Sequence, residues 1–72
     1  MTEQEAIQRA QEIAAAQGWA WVEPVQAIWR PAWFGKGGKW EVISNALGLG
    51  AKARIVLDAQ TGLVLEQGYI PR

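Results

Sequence analysis

The chain has 72 residues, half of them hydrophobic, and contains neither cysteine nor histidine. These absences exclude disulfides, thiolate metal ligands and the histidine that usually activates a serine nucleophile. Seven basic and seven acidic side chains cancel, so the whole molecule exerts no long-range attraction on nucleic acids or anionic membranes.

The first predicted element is a helix that begins after Thr2. The segment from Thr2 to Glu5 fits a capping box, in which the threonine hydroxyl accepts from the Glu5 amide and the glutamate side chain reaches back. Gly18 is expected to end the helix as a left-handed cap. Apolar side chains recur between these caps at spacings of three and four, as on one helix face; they are Ile7, Ala10, Ile13 and Ala14.

Two strands are predicted next, over residues 25–30 and 40–45, because apolar and aromatic residues cluster there. Pro31 is expected to close the first strand. Residues 33–39 are rich in glycine and form the predicted hairpin connection. Residues 46–50 form a loop that leads to the second hairpin.

The second hairpin is the clearest pattern in the chain. Branched residues at 55–57 and 63–65 indicate two strands, and Asp58, Thr61 and Gly62 between them are typical turn residues. Residues 69–72 are expected to form a tail. The sequence therefore predicts a single α+β domain over residues 1–72, with one N-terminal helix packed on a four-stranded antiparallel sheet in the order α-β-β-β-β.

Apolar residues are expected on both faces of this sheet, because they occupy both sets of alternating strand positions. Ala27 alternates with Ile28, and Ile55 alternates with Val56. One helix covers one face, and a contiguous exposed apolar face usually marks an interface. The sequence thus predicts a homo-oligomer formed through the uncovered sheet face, or binding to another protein.

The hairpin reads hydrophobic-Asp-x-x-Thr-Gly-x-Val-Leu from Leu57 to Leu65. Together with the alanine-rich helix ending at Gly18 and the strand residues Trp40-Glu41-Val42, it resembles a PepSY-type domain. The resemblance implies a small helix-plus-antiparallel-sheet fold. It also implies a noncatalytic, often inhibitory or protein-binding role, usually outside the cytoplasm.

The candidate partner-binding residues are aromatic or cationic and surround the glycine-rich connection. Tryptophan is a favoured anchor at protein interfaces, and exposed aromatics beside lysines can also stack on single-stranded bases. Zero net charge argues against nucleic acid, so a protein contact is the preferred interpretation. The candidates are Trp29, Trp33, Phe34, Lys36, Lys39 and Trp40.

No catalytic, cofactor-binding or metal-binding residue is predicted. The carboxylates, including Glu41 and Asp58, are expected to be solvated on the helix or at strand edges and turns. The sequence Gly48-Leu49-Gly50-Ala51-Lys52-Ala53 matches G-x-G-x-x-A, but a strand follows where a dinucleotide site needs a helix.

The predicted function is therefore a noncatalytic, self-associating protein-interaction module. Two alternatives stay open: an immunity or inhibitor protein that occludes a partner enzyme, and a weak binder of single-stranded nucleic acid. The acidic first five residues and the absence of a long apolar run predict a cytoplasmic protein with no membrane partner if the chain is complete. The PepSY-type resemblance would instead place it outside the cytoplasm.

Overall fold

The computed structural model describes residues 1–31, 37–46 and 50–70. Helix α1 (Glu3–Gln17) precedes four strands, which are β1 (Gln26–Pro31), β2 (Gly38–Ile43), β3 (Lys52–Asp58) and β4 (Val64–Ile70). The strands pair antiparallel in chain order, so β1 and β4 form the two edges of the sheet. The predicted α+β fold, with one helix and a four-stranded antiparallel meander, is confirmed.

Both predicted helix caps are present. The Thr2 hydroxyl accepts from the Glu5 amide at 3.2 Å, and the Glu5 carboxylate accepts from the Thr2 amide at 2.8 Å. Gly18 has a φ of 75°, a left-handed conformation that glycine adopts without steric cost. Its amide and that of Trp19 donate to the carbonyls of the last helical turn, which satisfies groups that would otherwise lack partners.

The core lies between the alanine stripe of α1 and the centre of the sheet. Ala6, Ala10 and Ala14 have no solvent exposure, and they pack with Val42, Ile55 and Leu57. Because alanine side chains are short, the helix sits close to β1, β2 and β3. The larger helical residues, Ile7 and Ile13, are half-buried at the margin of this core.

The first hairpin differs from the predicted boundaries. β1 includes Pro31 and β2 begins at Gly38, because these two residues are the last pair of the β1–β2 ladder. β2 ends at Ile43, and Asn45 has a left-handed φ of 53°, which interrupts extended backbone.

The fourth strand is longer than predicted. Tyr69 and Ile70 pair with Ala53 and Lys52 on β3, so the prediction that they belong to a tail was wrong. The reason is that β3 begins at Lys52, so β4 has backbone partners on β3 as far as Ile70. The remaining predicted tail positions, 71 and 72, and loop positions 47–49 lie outside the described residues.

The turn between β3 and β4 forms as predicted. The Asp58 carboxylate accepts from the amides of Thr61 and Gln60, at 3.0 and 2.8 Å, and Gly62 takes a φ of 75°. These hydrogen bonds lower the pKa of Asp58, and the one from the Thr61 amide has the largest effect. Within the described part of the chain, no helix is long and apolar enough to cross a membrane.

Candidate interaction surface

Two of the predicted contact residues, Trp29 and Trp40, face each other across β1 and β2. Their ring centroids lie 5.1 Å apart in an edge-to-face arrangement, with the ring planes inclined at 61°. The Trp40 indole N–H donates to the Met1 carbonyl at 3.1 Å. Trp29 stays 44% exposed, so it is the more accessible member of the pair.

Lys39 lies on the other side of the sheet from these tryptophans. Adjacent residues of a strand point to opposite faces, and Trp40 shares the helix side with Val42, a core residue. Lys39 pairs instead with Arg30. The structure therefore brings Trp29 and Trp40 together but separates them from Lys39, while Trp33, Phe34 and Lys36 lie outside the described residues.

The side of the sheet opposite α1, here called the open face, has a charged centre. The Glu41 carboxylate, only 7% exposed as a residue, accepts from the Arg30 guanidinium at 3.0 Å and from Nε of Arg54. Arg54 also lies 4.0 Å from Glu66. The Arg30 hydrogen bond, assisted by Arg54, holds the pKa of Glu41 below its ordinary value despite the opposing effect of burial.

One sequence prediction was wrong at this centre. Glu41 is not a solvated edge or turn residue, because it occupies the middle of an inner strand between two arginines. The open face carries apolar groups, as expected, but charged side chains alternate there with Val56, which is buried, and Ile28 and Ile43, which are half-buried. The available signal was the strand alternation, which assigns Arg30, Glu41 and Arg54 to one face once the strands are aligned.

Four exposed apolar side chains lie in or beside β4, three at its start and one at its end. We call Leu63, Val64, Leu65 and Ile70 the β4 surface; each is between 38% and 65% exposed. On the helix side, a groove separates this strand from α1 and is lined in part by Ile13 and Ala16.

On the open face, β4 carries a gap at Gly68. A Cβ added to this glycine would meet no atom within 4 Å. A shallow depression at this point is bordered by Arg54, Lys52 and Ile70. Its border is thus cationic on the β3 side and apolar at the end of β4.

Among residues 1–31, 37–46 and 50–70, no group of three acidic side chains is placed to hold a metal ion. Every buried side-chain polar atom in the same ranges has a hydrogen-bond partner. On the open face, the nearly buried Glu41 carboxylate has its partners in Arg30 and Arg54.

Comparison of the chain with family models, curated proteins and solved structures finds no match. The PepSY-type resemblance stays a prediction. Proposals about function therefore depend on the geometry of the β4 surface and the open face.

Proposed function

We propose that this chain is a noncatalytic protein-interaction module that self-associates through the β4 surface and the adjoining part of the open face. The observation that supports this most directly is the clustering of Leu63, Val64, Leu65 and Ile70 in or beside one edge strand. Leu63, Val64 and Leu65 are consecutive, and an unpaired strand edge beside exposed apolar side chains is a template for another chain.

The two edge strands of the sheet differ in how well they are protected against pairing with another chain. β1 ends in Pro31 and carries Arg30, and proline and exposed cations are common devices against edge pairing. β4 contains neither proline nor lysine, and Glu66 is its only charged residue. The contrast favours β4 as the edge that receives another chain.

The carboxylates with shifted pKa values support a noncatalytic role. Hydrogen bonds lower the pKa of Glu5, Glu41 and Asp58, mainly from the Thr2 backbone, the Arg30 side chain and the Thr61 backbone respectively. A general acid or base works best when its pKa lies near the working pH. These three groups are shifted away from neutrality, and each already has a structural partner.

The inhibitor and nucleic-acid alternatives remain predictions, as do the cytoplasmic location and the PepSY-type resemblance. Single-stranded nucleic acid would need aromatic and cationic side chains on one surface. Among the described candidates, the tryptophans and Lys39 occupy opposite sides of the sheet, so the arrangement gives that alternative no support.

The proposal is tested by sedimentation velocity over a wide concentration series, with Leu65→Lys compared to Val22→Lys. Both wild-type side chains are exposed, at 51% and 41%, but Val22 precedes the sheet and lies outside the β4 surface. We expect the wild type and Val22→Lys to associate and Leu65→Lys to associate less. A wild type that stays monomeric at its solubility limit, or equal effects of the two lysines, would overturn the proposal.

A further inference from the structure

We propose that two copies of the chain pair antiparallel through β4, with Gln67 of one copy opposite Gln67 of the other. The result is a continuous eight-stranded sheet in which Glu66 of each copy reaches Arg54 of the second copy across Gly68. This inference rests on the proposed self-association and names its partner and its register.

The free backbone groups of β4 can be assigned from β3. The Ala53 amide donates to the Ser44 hydroxyl and the Ala53 carbonyl accepts from the Ser44 amide, both at 2.9 Å, so these groups face β2. Alternation in antiparallel ladders then directs the backbone of Arg54 toward β4, and that of its partner Gly68 toward β3. The N–H and C=O groups of Gln67 and Tyr69 consequently point to the free edge.

In an antiparallel pair, residues whose backbone groups point outward must lie opposite one another. The two-fold axis can therefore pass through a residue of β4 but not between two residues. Centring on Gln67 places Leu65 opposite Tyr69, so two apolar groups meet on the helix side. The bulge opposite Val56 and Leu57 ends the regular pairing before Val64. Centring on Glu66 would place two carboxylates directly opposite each other, which is destabilising. Centring on Gly68 would place Glu66 opposite the apolar Ile70 and Gln67 opposite Tyr69, so the Leu65–Tyr69 pair would be lost.

Charge complementarity supports the register centred on Gln67. Glu66 would then lie opposite Gly68 of the second copy, where no atom occupies the space above the backbone. Arg54 is the next residue across the sheet from that glycine, two strand spacings or about 10 Å from Glu66 at the backbone. Both side chains are half exposed, and their combined length spans this gap.

A second copy fits this edge because its own β4 carries both the carboxylate of Glu66 and the gap at Gly68 beside Arg54. Each carboxylate meets a glycine gap with an arginine behind it, and the two-fold axis creates this contact twice. On the helix side, Leu65 of the second copy would lie beside Tyr69, which already stacks on Trp19. A strand without an acidic residue at this position would lack the contact with Arg54.

Two substitutions at Gly68 that introduce long side chains of opposite charge test the proposal. Gly68→Glu would face Glu66 of the second copy and weaken dimerisation by roughly 2- to 30-fold, since the unfavourable pair occurs twice. Gly68→Lys would face the same carboxylate and strengthen dimerisation to a similar extent. Dissociation constants are measured by sedimentation equilibrium.

Monomer stability provides the control. Within one copy residue 68 lies beside Arg54, so Gly68→Glu should stabilise the dilute monomer relative to Gly68→Lys. Stability and dimer affinity are therefore expected to change in opposite directions, which a simple folding defect would not produce. A further variant, Gln67→Pro, removes the outward N–H at a position where an edge strand tolerates proline, and should abolish the dimer while Gln67→Thr retains it.

The outcomes separate this inference from the proposed function. Opposite effects of the two Gly68 variants on affinity, with loss of the dimer in Gln67→Pro, support β4 pairing. If Gln67→Pro still dimerises, or if Gly68→Glu and Gly68→Lys have equal dimer dissociation constants, β4 pairing is wrong but self-association is not excluded. A wild type that remains monomeric overturns both.

Discussion

The indole of Trp19 lies parallel to the phenol ring of Tyr69, with ring centroids 5.5 Å apart and ring planes within 6°. Trp19 directly follows the helix cap, and its amide donates to the Ala14 carbonyl at 2.8 Å. Tyr69 belongs to β4, whose helix-side surface is separated from α1 by a groove. The stacked pair therefore connects the end of the helix to the edge strand.

Removing this stack should loosen β4. We expect Tyr69→Ala to lower the free energy of unfolding by about 1 to 3 kcal/mol, because an aromatic pair and its buried area are both lost. Tyr69→Phe keeps the ring and should cost much less. Urea unfolding followed by circular dichroism, at a protein concentration that keeps the chain monomeric, gives both values; equal losses would show that the stack contributes little.

The two strand glycines should respond differently to alanine. A Cβ at Gly38 would lie 2.6 Å from Cζ2 of Trp29 and 3.0 Å from the Arg30 carbonyl oxygen. The indole would have to leave its position against Trp40. We expect Gly38→Ala to destabilise the fold by about 1 to 3 kcal/mol, as overpacking does, and to change the tryptophan emission spectrum.

Gly68→Ala is the matched control, since nothing lies within 4 Å of the added Cβ and the position also lies in a strand. It should leave monomer stability unchanged or raise it slightly, because alanine restricts the unfolded chain more than glycine does. A loss in Gly68→Ala as large as that in Gly38→Ala would contradict the account of the Trp29 contact.

Features set by neighbouring residues were predictable from the sequence. Thr2 and Glu5 form the capping box, Gly18 ends the helix, and Asp58 organises the turn before Gly62. Each of these arrangements depends on hydrogen bonds between residues two to five apart in sequence, so a short pattern contains all the necessary information.

Features set by distant strands were not predictable in the same way. Tyr69 is a strand residue because Ala53 pairs with it, and Glu41 is buried because Arg30 and Arg54 reach it from both sides. These outcomes depend on register, which is known only when the strands are aligned. Among the described contact candidates, Lys39 and Trp40 lie on opposite sides of the sheet for the same reason, since they are consecutive strand residues.

Neutralising Glu41 should destabilise the fold more than neutralising an exposed carboxylate. Glu41→Gln removes the negative charge and one of the two acceptor oxygens at a nearly buried position, but Arg30 and Arg54 remain half exposed and can be hydrated. We expect a loss of about 1 to 2 kcal/mol, between the values for surface and buried pairs. Glu12→Gln is the control, because its 3.6 Å pair with Arg9 lies on the exposed helix and should contribute about 0.5 kcal/mol or less.

Acid should remove the same stabilisation from the wild type. Arg30 holds the pKa of folded Glu41 below the ordinary value of 4.5, so the unfolded chain takes up the proton first as the pH falls. The contribution of Glu41 is complete above that ordinary value, declines below it and is lost once the pH passes the lowered pKa of the folded state. Glu41→Gln lacks this contribution, although the lowered pKa values of Asp58 and Glu5 leave it some acid sensitivity. Urea unfolding between neutral and strongly acidic pH should therefore show the two stability curves converging as the pH falls, whereas parallel curves would mean that the ion pair contributes nothing to folding.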